Sequence, residues 1–155
     1  MRLTTFSDYS MRVMMYLGLQ RNQLSTIAEI AKAYSISENH LTKVVHQLAL
    51  RVYVETVRGK GGGLRLAREP QAINIGEMIK DSEGDLSFLP CMDTKSDCCI
   101  QPACKLIGIL KEAQDALFAV LNKYTLADLL IQESSLIEIL FYPKQPVTHA
   151  IASVN

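Results

Sequence analysis

Residues 26–68 hold the pattern that most narrows the fold: two short helical segments broken by a tight turn, then two β-rich stretches around a glycine-rich tip. Thr26-Ile27-Ala28-Glu29 has the form of a capping box, and Ile27, Ile30 and Ala31 line the inner face of the helix it opens. Tyr34-Ser35-Ile36-Ser37 interrupts that helix. Ser37 can cap the next one, in which Leu41, Val44, Val45 and Leu48 face inward while Glu38, Asn39, His40, Thr42, Lys43 and His46 face out. Residues 53–57 and 64–66 read as the strands of a hairpin, with Arg58-Gly59-Lys60-Gly61-Gly62-Gly63 as its tip. The pattern predicts a mainly α chain with a small β-wing, a winged helix-turn-helix.

In that arrangement the second helix presents its N-terminal part to a DNA major groove, and wing glycines let the backbone approach a phosphate. Ser37, Asn39, His40 and Lys43 are the candidates for base or phosphate contact, with Arg58 and Lys60 at the wing. A helical hairpin with a solvated face would explain the two helices equally well. The basic hairpin that follows, with Arg51, Arg58, Lys60, Arg65 and Arg68 against Glu55, favours DNA. The Gly-Lys pair is not a nucleotide P-loop, because no Ser or Thr follows Lys60 and the strand-loop-helix order is missing.

Charge agrees with this division. The 155 residues carry no net charge, yet residues 1–68 hold ten Lys or Arg against four Asp or Glu, and residues 69–155 hold six against twelve. The N-terminal part has the sign for a polyanion. Residues 8–20 predict a helix capped by Ser7 or Thr5, with Asp8 in its first turn complementing the helix dipole. Asp8 and Arg12 inside this apolar stretch argue against a signal peptide, and no apolar run approaches a membrane span, so a cytoplasmic protein with reduced thiols is expected.

The expected organisation is a DNA-binding unit over 1–82, a cysteine loop over 83–104, a dimerisation helix and short following helix over 105–131, and a tail over 132–155. Asn74 to Glu77 offers another capping box, opening a helix that ends near Gly84. From about Ala103 a pattern of roughly twenty residues predicts a helix about 30 Å long, apolar on more than one side. A face that wide fits packing against a second copy, and a two-fold dimer suits a palindromic operator. Thr125-Leu126-Ala127-Asp128 restarts a short helix; the tail shows no strong period and its last ten residues are expected to be disordered.

All four cysteines fall within fourteen residues, Cys91, Cys98, Cys99 and Cys104, in a polar loop with little core to fill. A sulfur-ligated centre is the first reading. Structural zinc would also accept four sulfurs and would make the chain a zinc-stabilised interaction module, though paired CxxC spacing is absent. A cluster-free thiol switch through Cys98 or Cys99 is a further alternative. An enzyme is not expected: a cysteine nucleophile needs a positioned base, and of His40, His46 and His149 two lie on the outward face of the recognition helix.

The stretches LTTFSDYSMRVMMYL, SISENHLTKVVHQL and VRGKGGGLRL, the PAC before the long helix and the NKYTLADLL after it resemble the nitric-oxide-sensing branch of the Rrf2 superfamily of winged-helix regulators, over about residues 1–131. The resemblance implies a homodimeric repressor that binds double-stranded operator DNA and carries an iron–sulfur cluster which nitric oxide destroys, [4Fe-4S] first and [2Fe-2S] as the alternative. Cys91, Cys98 and Cys104 match the three cluster ligands, and the fourth implied ligand is Asp8 of the partner subunit. The branch that regulates cluster biogenesis has a His three residues after the last Cys, where this chain has Ile107. Two features depart from the pattern. The gap between Cys91 and Cys98 is longer than in close relatives, and Cys99 is an additional thiol and an alternative ligand. Val52 stands where relatives often have Gly; since a β-branched residue resists positive φ, a differently wound helix end is expected.

Overall fold

The computed structural model describes residues 2–84, 86–92 and 98–142. Helix α1 (Thr5–Leu19) is apolar on most sides and is therefore stable only when wrapped by the rest of the chain. Val13, Met14, Tyr16, Leu17 and Leu19 are all buried, each contributing about 1.5–3 kcal/mol if fully removed from water. Thr4, not Ser7 or Thr5, is the cap: its hydroxyl accepts from the Ser7 amide at 3.2 Å. Ser7 lies inside the first turn, buried, its hydroxyl shared with Ser82 at 2.8 Å.

Helix α2 (Ile27–Tyr34) opens with the expected Thr26–Glu29 box, both bonds present. It ends at Ser35, whose φ of 54° turns the chain so that the Ile36 amide reaches the Ala31 carbonyl at 2.9 Å. Helix α3 (Glu38–Leu50) follows, with Leu41, Val44, Val45 and Leu48 buried as expected. Ser37 occupies its N-cap, but the expected side-chain bond does not form. The His40 amide, a usual partner for a capping hydroxyl, goes to the Ser37 carbonyl at 3.1 Å instead.

The end of α3 corrects the expectation about Val52. The Tyr53 amide bonds to Leu48 O at 2.9 Å and the Val52 amide to Ala49 O at 3.0 Å, the pair that defines a Schellman ending. The helix is thus wound as it would be with glycine, and Val52 is forced to φ 58°. A left-handed conformation costs a β-branched residue about 1–2 kcal/mol. With the side chain 59% exposed, little packing offsets this. Val52→Gly is expected to raise stability by about 0.5–1 kcal/mol after the glycine entropy penalty, a rise of a few degrees in Tm by calorimetry; a lower Tm would contradict the strain.

Strands β1 (Val54–Val57) and β2 (Gly63–Leu66) form the antiparallel wing, with Val54 opposite Leu66 and Glu55 opposite Arg65. Leu64 exchanges both backbone bonds with Ser25, at 2.7 and 3.0 Å, which fastens the hairpin to the turn before α2. Gly59 and Gly61 at the tip have φ of 107° and 78°, positions where a side chain would be strained.

Helix α4 (Ile75–Glu83) begins with Asn74 accepting from the Glu77 amide at 3.0 Å. Only this half of the expected box forms, and the surrounding backbone is held by a distant segment: Ile75 N–H goes to Tyr124 O and Leu126 N–H to Ile73 O. Helix α5 (Leu106–Leu121) has 16 residues, not about twenty, because a 3-10 turn at Gln101–Ala103 with Pro102 inside it delays the start. Its only buried residue is Phe118, which joins Ile75 and Ile79 of α4 in a small second core. Helix α6 (Leu126–Leu129) returns the chain to the main core through Leu126 and Leu130.

Helix α7 (Glu133–Phe141) lies in the segment expected to be an irregular tail. Leu136, Ile137, Leu140 and Phe141 pack on the main core, with the Phe141 ring 5.0 Å from that of Tyr16. The ten residues expected to be disordered lie outside the described residues. Among the described residues no helix is long and apolar enough to cross a membrane.

Candidate nucleic-acid interface and cysteine loop

The buried stripe of α3 pins the helix to α1, and that leaves Glu38, Asn39, His40, Thr42, Lys43, His46 and Gln47 exposed on one side. Ser37 is exposed at its start. Ser37, Asn39, His40 and Lys43 are thus brought together at the N-terminal end of α3, the end suited to a major groove. The Thr42 hydroxyl donates to Glu38 O at 2.8 Å, while His40 lies 6.3 Å from the Tyr9 ring of α1. Gln47, which the periodicity alone does not single out, shares the exposed face.

The basic residues of the wing divide into two groups. Arg65 pairs with Glu55 at 2.9 Å and Arg51 with Asp81 at 2.9 Å. Arg68 stacks over Tyr53 at 4.7 Å and donates to the carbonyls of Val52 and Arg51. These three are spent within the fold. Arg58 and Lys60 are exposed at the tip and, among the described residues, have no ion-pair partner.

In the cysteine loop, Cys91 sits half-buried in a 3-10 turn at Pro90–Met92, and Cys104, also half-buried, follows the turn at Gln101–Ala103. Gln101 ties Cys91 to Cys98: its side-chain amide donates to Cys91 O at 3.1 Å and its backbone amide to Cys98 O at 3.1 Å. Cys98 and Cys99 are exposed, and none of the four is in a disulfide. Among the described residues no three of His, Cys, Asp and Glu converge on one point, so the loop collects the thiols without assembling them into a metal-binding group. The donor chemistry fits an iron–sulfur cluster: soft sulfurs, none oxidised to a disulfide, at both ends of a clipped loop.

Asp8 lies in the first turn of α1, half-exposed, and bonds to Arg12 at 3.0 Å. It lines a recess with Tyr9, Arg12, Tyr34, Ser35 and Ile36, on the helix-turn-helix side. The fold of one chain therefore does not bring Asp8 together with the thiols.

Helix α5, which follows the loop, keeps Leu106, Ile109, Ala113, Ala116 and Val120 exposed. Their spacing of three, four, three and four residues matches that of a coiled-coil seam, with the small residues Ala113 and Ala116 at its middle.

A helix-turn-helix with an outward recognition helix and a basic-tipped wing defines a winged-helix DNA-binding transcription regulator. The chain belongs to the Rrf2 family: the family model, described as an iron-dependent transcriptional regulator, matches residues 3–132. It is 46% identical over 138 residues to the HTH-type transcriptional regulator NsrR of Shouchella clausii, covering 88% of this chain and 93% of that one. It is also 46% identical over 142 residues to the NsrR of Bacillus subtilis, covering 90% and 97%. Among solved structures it resembles CymR, the global cysteine regulator of B. subtilis, with TM-score 0.65, 28% identity and coverage of 83% and 95%. It also resembles T. potens IscR, with TM-score 0.67, 26% identity and coverage of 88% and 90%.

Proposed function

We propose that the chain is a cytoplasmic, homodimeric repressor that binds a palindromic operator and releases it in response to nitric oxide, through an iron–sulfur cluster held in the cysteine loop. The observation that carries this reading is the juxtaposition in one small chain of an outward recognition helix and a loop of four thiols, none in a disulfide. The relatives named NsrR, at 42–46% identity, and the family description as iron-dependent support it. Nitric oxide as the signal rests on the resemblance of the quoted stretches to the nitric-oxide-sensing branch.

Cys91, Cys98 and Cys104 would hold the cluster as thiolates, with Asp8 of the partner subunit as the fourth ligand and Cys99 the alternative to it. When bound, the cluster supplies iron that a small diatomic ligand can attack, [4Fe-4S] being preferred over [2Fe-2S]. Ile107 has no donor atom where a cluster-biogenesis regulator would need its histidine, which favours the nitric-oxide branch. The apolar seam of α5 supplies the dimer contact, and dimerisation puts two copies of α3 in reach of successive major grooves. Asp8 is bonded to Arg12 within its own chain, so ligation would have to draw it from that pair. Tyr9, the residue after Asp8, has its ring 6.3 Å from that of His40 on the recognition helix, so a change at Asp8 can reach α3 through its neighbour.

Salt dependence tests the DNA reading. Operator affinity should fall steeply on a log–log plot against salt, and Arg58→Ala with Lys60→Ala should lower the slope by about 1 for each phosphate that is no longer neutralised. Absence of binding at low salt would refute the assignment of α3 and the wing.

A further inference from the structure

Three consecutive residues at the end of α4 carry side-chain bonds to two other elements. Ser82 and Glu83 hold the start of α1: the Ser82 and Ser7 hydroxyls are 2.8 Å apart, and Glu83 accepts from the Thr4 amide at 2.7 Å and its hydroxyl at 3.1 Å. Burial pushes the Glu83 carboxyl up, but the bonds from Ser7 and Thr4 outweigh it and hold it below the usual range. Asp81 holds the end of α3 instead, accepting from Arg51 at 2.9 Å and from the Tyr53 hydroxyl at 2.8 Å. One residue past Glu83, Gly84 (φ 72°) ends the helix, and the chain runs on toward the cysteine loop.

The two residues that Asp81 grips flank Val52, whose left-handed backbone is strained. The ion pair with Arg51 is half-exposed and by itself contributes little. The Tyr53 bond is the stronger: Tyr53 is 3% exposed, its ring lies under Arg68, and losing the carboxylate would leave a buried hydroxyl without its acceptor. Burial, and then the bond to Asp81, push the Tyr53 hydroxyl up to about 12, so it remains a donor across the physiological range.

We infer that Asp81 is a positioning residue: it latches the strained last turn of the recognition helix to α4, and a change in the cysteine loop reaches α3 through this latch. The inference rests on the proposed reading of the loop as a sensor. It adds a residue in neither the DNA-contacting face nor the candidate ligand set. Packing of Ile75 and Ile79 on Phe118 ties α4 to α5 on the far side of the loop, so a loop that reorganises moves the helix between both its ends. Movement of α4 pulls on Arg51 and Tyr53, and the strain at Val52 makes that joint the first to rewind.

The test compares wild type, Asp81→Ala and Tyr53→Phe as full chains. A duplex selected from a random library on the iron-loaded wild type serves as probe, and affinity is measured with each chain iron-loaded and after stripping by a chelator. Wild type should lose at least about fivefold in affinity on stripping, the low end of common allosteric couplings, while both variants should show a ratio near one. In the iron-free chains, Asp81→Ala should also speed amide hydrogen exchange at Val52 and Tyr53 by about tenfold, a local loosening that needs no metal. Unchanged exchange, or a stripping ratio in both variants equal to that of wild type, overturns the latch while leaving the sensor reading intact. A wild-type ratio of one overturns both.

Discussion

In the proposed homodimer, Ile109→Asp is expected to give a monomer and lower operator affinity by at least about 100-fold, because a single bound half-site lacks the effective concentration that linkage provides. Ile109 is 61% exposed on α5 and, among the described residues, belongs to neither core cluster, so the substitution removes no core packing there. Far-UV circular dichroism and Tm at low concentration should therefore match those of a wild-type monomer. Sedimentation equilibrium reads the change directly. In that proposed arrangement an aspartate at the second position of the Leu106, Ile109, Ala113, Ala116, Val120 seam would place two carboxylates in an apolar contact across the two-fold axis, with no partner for either. A dimer that survives Ile109→Asp would show that α5 does not form the dimer interface.

The second large effect lies in the loop. Alanine in place of Cys91, Cys98 or Cys104 should each remove most of the iron and sulfide from anaerobically prepared chain, whereas Cys99→Ala should leave both unchanged. Alanine is the informative replacement, since a serine oxygen can still ligate. Asp8→Ala should weaken cluster retention and operator binding together, because the same carboxylate joins the loop to the first helix of the other chain in the proposed arrangement. Iron and sulfide counts beside an operator titration separate the cases. If Asp8→Ala keeps its iron and Cys99→Ala loses it, the fourth position belongs to Cys99.

The parts of the fold that depend on local chemistry are legible in the sequence: the Thr26–Glu29 box, the break at Ser35, the buried stripe of α3 and the glycine tip of the wing all stand where their residues imply. Features set by distant partners are not. Thr4 caps α1 with Glu83 bonded behind it, and Ser7 is held by Ser82, 75 positions away. Helix α7 is hidden because nine residues followed by prolines carry little period, and only the groove against α1 and α2 makes Leu136, Ile137, Leu140 and Phe141 a packed face. Val52 stands out in the sequence, but the Schellman bonds to Leu48 and Ala49, with Arg68 over the carbonyls, hold it in a conformation its side chain disfavours.

At the candidate site, the exposed face of α3 and the two tip cations of the wing are legible, and so is the grouping of the cysteines. The internal duties of Arg51, Arg65 and Arg68 are not, because a basic side chain in a hairpin looks the same in sequence whether it meets a phosphate or caps a helix. The Asp81–Tyr53 latch is equally hidden, its partners standing 28 positions apart.

The most direct measurement is an anaerobic nitric oxide titration of the purified chain bound to a labelled operator duplex, following visible absorption and fluorescence anisotropy on one sample. Anisotropy should fall in step with the bleaching of the cluster bands, both complete at the same ratio of nitric oxide to iron. An operator that stays bound after the bands have gone, or a colourless chain with one zinc per subunit, would contradict it.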